Sequence, residues 1–81
     1  MSCKINKEQS LINQIVEDLH NYELNTVEEL YIEKHYYDEI DDKITRDFLI
    51  IYLSNRNIQI KISDNMIKQV KDKIIEIMND F

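Results

Sequence analysis

Glycine, proline and tryptophan are all missing from this chain of 81 residues, and so is alanine. Without glycine the two-residue hairpins that need Asn-Gly, Asp-Gly or Gly-X cannot be built. The same absence excludes phosphate-cradling P-loops and the dinucleotide fingerprint, in which glycine lets the backbone approach the ligand. It also excludes a calcium loop of the EF-hand type in the acidic stretch 38–42, because that loop turns on a glycine. The single cysteine, Cys3, rules out an intramolecular disulfide or a cysteine-cluster zinc site, and a lone thiol fits a reducing compartment. Long apolar runs are lacking too. The longest, Phe48-Leu-Ile-Ile-Tyr-Leu53, is far too short to span a bilayer, and the first ten residues have no signal-peptide core. The expected location is the cytoplasm.

Fifteen isoleucines, eight asparagines, eight lysines and five tyrosines stand against two arginines. Isoleucine, asparagine, lysine and tyrosine have AT-rich codons, so the composition fits an AT-rich genome such as that of a low-GC bacterium or its phage. What such a composition builds most readily is helix, with asparagine, aspartate and serine handling the turns. The length sets one domain over residues 1–81, with roughly 64% of the unfolded surface hidden on folding.

Apolar spacing predicts four helices. Over residues 7–22, Leu11, Ile12, Ile15, Val16 and Leu19 form one stripe, behind a capping start at Asn6 and Gln9. Asn21 and Asn25 stand where a left-handed residue would close that helix. Thr26 with Glu29 reads as the capping box of a second helix over 27–37, whose face carries Val27, Leu30 and Tyr31. A third helix begins near Asp42 or Thr45 and runs to about Leu53. Ile44, Phe48, Leu49, Ile51, Tyr52 and Leu53 make it apolar over much of its circumference, which marks it as the central helix. Ser54–Asn57 is a turn. The last helix has Ser63 as N-cap, Ile62 and Ile67 as a hydrophobic staple, and the 3-4-3-4 stripe Ile67, Val70, Ile74, Ile77 and Phe81, widened by Ile75 and Met78.

One segment breaks the helical pattern. Residues 58–62 alternate, with isoleucine at 58, 60 and 62. Two readings stay open: a short β-strand, which needs a partner for its backbone, or an extended linker whose isoleucines plug the core. Cys3 and Ile5 are a weak internal candidate for pairing. The expected architecture is therefore a mainly α, compact four-helix domain with one candidate strand at 58–62.

Charge is uneven. Residues 1–42 hold eleven acids and three bases, residues 43–81 five acids and seven bases, for a net −6 overall. The stretch 17–42 alone has ten acids and one lysine, interleaved with tyrosines. A single-sign surface steers association with an oppositely charged partner, and tyrosine is enriched at interfaces. Glu28, Glu29, Tyr31, Glu33, Tyr36, Tyr37, Asp38, Glu39, Asp41 and Asp42 are the candidate contact residues. The alternative is that this is only a solvated face. Phosphate would be repelled, so direct nucleic-acid binding here is not expected.

Catalytic and metal chemistry find little support. Glu17-x-x-His20 has the spacing used in di-iron bundles, and His35 precedes Asp38 and Glu39, but a bundle site needs two such units and further glutamates. No metal, cofactor or catalytic residue is expected.

From Asn57 to about Asp80, the alternating segment followed directly by a helix resembles the opening of a ribbon-helix-helix DNA-binding domain. That resemblance implies a homodimer pairing its strands in the major groove, with Gln59 and Lys61 on the reading face. The family continues into a second helix, which has no counterpart before Phe81. In size and helix count the chain is also similar to small all-helical bacteriocin-immunity proteins. The function expected from the residues is that of a small acidic regulatory or inhibitory module that binds another protein with a basic surface. The alternatives are a homodimeric DNA-binding regulator paired through 58–62 and a self-assembling structural subunit joined through the last helix.

Overall fold

A chain without alanine has few strong helix formers among its small residues, and β-branched isoleucine loses side-chain freedom in a helix. Its helices must be held by packing of their apolar faces more than by propensity. The structure, a computed structural model, describes residues 7–80 and contains four helices: α1 (Lys7–His20), α2 (Thr26–Lys34), α3 (Asp42–Asn55) and α4 (Asp64–Asn79). α4 packs against both α1 and α3, and α2 packs on α3. The helices thus follow one another in space as α1, α4, α3, α2. The expected centre, α3, shares the interior with α4.

One core joins all four. Ile12, Ile15 and Leu19 from α1 meet Phe48, Leu49, Tyr52 and Leu53 from α3 and Met66, Ile67, Val70 and Ile74 from α4, with Ile32 alone as the buried apolar residue of α2. Each such side chain contributes about 1.5–3 kcal/mol on full burial. The stripes expected on α1 and α4 are the ones buried, and Ser63 caps α4 by accepting from the Met66 amide at 3.1 Å. Ile75 stays 39% exposed. The Asn6 cap, the pairing of Cys3 and Ile5, and Phe81 lie outside the described residues.

Two helix ends show how the chain turns without glycine. At the end of α1 the Glu23 amide donates to Asp18 O (2.8 Å) and the Tyr22 amide to Leu19 O (3.1 Å). At the end of α3 the Ile58 amide donates to Leu53 O (3.0 Å) and the Asn57 amide to Ser54 O (3.2 Å). Both are Schellman closures, which place one residue in the left-handed region. Those residues are Tyr22 and Asn57, each with φ 54°. Asparagine in that role was expected, but in the first turn the residue is Tyr22, not Asn21 or Asn25. Asn25 instead caps α2.

Residues 58–62 run extended, and among the described residues no strand forms. Ile58, Ile60 and Ile62 are partly buried against the core while Gln59 and Lys61 face outward. The alternation records burial on one side of a linker joining α3 to α4, so the candidate strand is corrected to an extended, core-plugging connection.

Candidate functional site

The acidic region is built on α2, the turn after it and the first turn of α3. Its geometry departs from expectation at the start. The capping box of α2 is Asn25 with Glu28, one residue ahead of Thr26 with Glu29: Asn25 Oδ1 accepts from the Glu28 amide (2.9 Å) and Glu28 Oε1 from the Asn25 amide (3.1 Å). Glu28 and Ile32 therefore point inward, and Val27 and Leu30 are 56% and 59% exposed. Helix 2 presents to solvent two of the residues expected to bury it.

Glu28 is fully buried, so it is not part of an exposed contact surface. Arg56, just past α3, gives it Nη1 to Oε2 at 2.5 Å and Nη2 to Oε1 at 3.2 Å, and Asn55 Nδ2 adds a bond of 3.0 Å to Oε2. Burial pushes the Glu28 carboxyl up. Hydrogen bonds from Arg56, Asn55 and the Asn25 amide, with the guanidinium charge, outweigh that and hold it below its ordinary value. The guanidinium also lies 3.6 Å over the Tyr52 ring, and Tyr52 donates to Asp18 Oδ2 on α1. A polar path thus runs from α1 through Tyr52 and Arg56 to the start of α2. Burial, reinforced by Asp18, raises the Tyr52 phenol above its usual range. No buried side-chain polar atom among the described residues is left without a partner.

The remaining candidates lie at the surface in differing degrees. Tyr31 is half-buried, its hydroxyl 3.4 Å from Ile44 O, and its ring meets His35 edge-on at 4.7 Å. His35 Nδ1 is 2.7 Å from Asp38 Oδ2. Glu33 accepts from Tyr22 at 3.0 Å, and burial together with this carboxylate pushes the Tyr22 phenol up to about 12. Asp41 caps α3, its Oδ1 accepting from the Ile44 amide at 2.8 Å, and Asp42 pairs with Lys71 of α4 at 2.8 Å. Glu29 is partly exposed and Glu39 exposed, and Tyr37 is 94% exposed with its ring 4.8 Å from Tyr36. Tyr36, Tyr37, Asp38 and Glu39 come together along one open groove of about 630 Å³, closed on its other side by Ile75, Met78 and Asn79 near the end of α4, with Ile40 beside them. The α4 contribution was not foreseen. Ile75 reads in sequence as a widening of the core stripe, and only its place beyond that stripe hints that it faces out.

Each histidine has a side-chain partner, Asp38 for His35 and Lys73 for His20. Lys73 Nζ lies 3.0 Å from His20 Nδ1. Among the described residues no group of three His, Cys, Asp or Glu is placed to hold a metal ion. None of their helices is long and apolar enough to cross a membrane. Comparison with known proteins matches this chain to no family model, no curated protein and no solved structure.

Proposed function

We propose that this chain is a small regulatory or inhibitory module that acts by binding another protein, through the acidic surface of α2 and the turn that follows it, and has no catalysis of its own. The observation that carries the reading is the placement of exposed apolar groups. Of the large apolar side chains exposed among the described residues, Val27, Leu30 and Tyr37 lie within the acidic stretch 17–42. An acidic field brings a basic partner in, and apolar and aromatic side chains give the contact its desolvated centre. Glu29, Glu33, Asp38, Glu39, Asp41 and Asp42 supply the charge. Glu28 has no place in that surface.

The test is affinity capture from a host lysate at low and high salt, with mass spectrometry of what is retained. A salt-sensitive partner that is lost when Glu29, Glu33 and Glu39 are reversed to lysine is the expected result. Retention of every captured partner by that triple variant removes the proposal.

A further inference from the structure

We propose that the groove between the turn after α2 and the end of α4 takes a cationic segment of the partner that presents an aliphatic side chain beside arginine. This rests on the protein-binding reading above and says where on the surface, and by what chemistry, the partner is held.

A depression lined by Leu19, His20, Tyr22, Glu76, Ile77 and Asp80 is also acidic but includes a histidine, and two others differ from the groove in charge. Those lined by Gln69 and Asp72 and by Lys68 and Asp72 include lysines, so both signs are present. The groove at Tyr37 is lined by Asp38 and Glu39 and by no basic residue. Asp38 meets His35, whereas Glu39 makes no ion pair among the described residues. Between these carboxylates and Asn79 the lining is apolar: Ile40, Ile75 and Met78. Ile75 is exposed at 39%, on a helix whose other isoleucines are buried. An aliphatic side chain would cover Ile75, and a flanking guanidinium would reach Glu39 while lying against the exposed Tyr37 ring. That combination of carboxylate and aromatic face suits arginine better than lysine. A polyanion or an acidic peptide would be repelled, and a small neutral ligand would bury too little of itself in so open a groove.

The probe is a capped synthetic peptide with two leucines flanked by arginines, titrated at low salt while backbone amide shifts are followed by NMR. Two controls replace its leucines by serine or its arginines by glutamate. The expected result is saturable shifts centred on Tyr37, Glu39, Ile75 and Asn79, with affinity falling about tenfold for the serine peptide and for Ile75→Ser, and binding lost with the glutamate peptide. Glu39→Lys, at an exposed position, gives the same loss without touching the core. Gln59→Ser, at an exposed position on the connection between α3 and α4, leaves this peptide's affinity within about twofold. Equal binding of the serine peptide, with shifts spread along α2, overturns the groove and leaves the acidic surface as the contact. Undiminished binding of the glutamate peptide overturns the charge assignment and with it the inference. If neither arginine peptide binds, the groove falls, and the acidic-surface reading is decided separately by the lysate capture with the triple variant.

Discussion

At the scale of single residues, Glu28 and Arg56 matter most. A fully buried carboxylate is tolerated because four hydrogen bonds converge on it, three of them from Arg56 and Asn55. Arg56→Leu leaves that charge in the core without its counter-ion. The expected loss is about 3 kcal/mol of unfolding free energy, read from urea denaturation at pH 7, and Glu28→Leu made together with Arg56→Leu restores most of it. The pH dependence follows from the direction of the shift. Because folding lowers the Glu28 pKa, its contribution is complete above the unfolded carboxyl value of about 4.3 and is lost as pH falls through the depressed folded value. In Arg56→Leu burial is opposed only by the bonds from Asn55 and the Asn25 amide, the folded pKa moves up, and acid unfolding shifts to higher pH. The tyrosines act at the other end of the scale. A phenol whose folded pKa is raised stabilises fully below its unfolded value near 10, and that contribution declines as pH rises toward the folded value of about 12 for Tyr22. Tyr22→Phe should therefore flatten the loss of stability between about pH 10 and 12, measured as denaturant midpoints across that range.

At the scale of elements, α2 is the informative one. Nine residues are too few for a stable isolated helix, so its face is chosen by tertiary contacts. Ile32→Ala should cost about 3 kcal/mol, whereas Val27→Glu and Leu30→Glu should stay within about 0.5 kcal/mol, all read by thermal and urea melts. A reversal of that order would mean that the helix is turned the other way. Sequence periodicity supplied the stripes of α1, α3 and α4, because many apolar residues agree on one face in each. In α2 it had Val27, Leu30 and Tyr31 against Ile32 alone. The deciding residue was a glutamate, which looks like surface until Arg56, twenty-eight positions on, is seen beside it. The groove was half legible for a related reason: Tyr36–Glu39 are adjacent in the chain, but the turn that sets them against Ile75 is a tertiary fact. The helix ends offer a second element-scale test. Asn57 carries a left-handed backbone in an exposed position, so Asn57→Gly should raise the melting temperature by a few degrees and Asn57→Ala should lower it.

At the scale of the whole molecule, net charge and its placement set the behaviour. The net −8 on residues 1–42, within an overall −6, repels itself, while the exposed pairs Lys43–Asp47 and Lys71–Asp42 contribute little each. Raising sodium chloride from about 10 to 500 mM shortens the screening length from roughly 30 Å to a few ångström and should raise the melting temperature, because relief of repulsion exceeds the loss of those pairs. A fall in melting temperature would show that ion pairs dominate instead.

The order of the helices in space also has a consequence in time. α2 can dock on α3 as soon as Arg56 has left the ribosome, but α1 rests on α4, and Gln9 meets Gln69 across sixty positions. At roughly 5–20 residues per second, Ile12, Ile15 and Leu19 of the nascent chain wait several seconds for their cover. During synthesis, α1 is the stretch most exposed to chaperones and to aggregation, and slowing translation between α3 and α4 would lengthen that exposure.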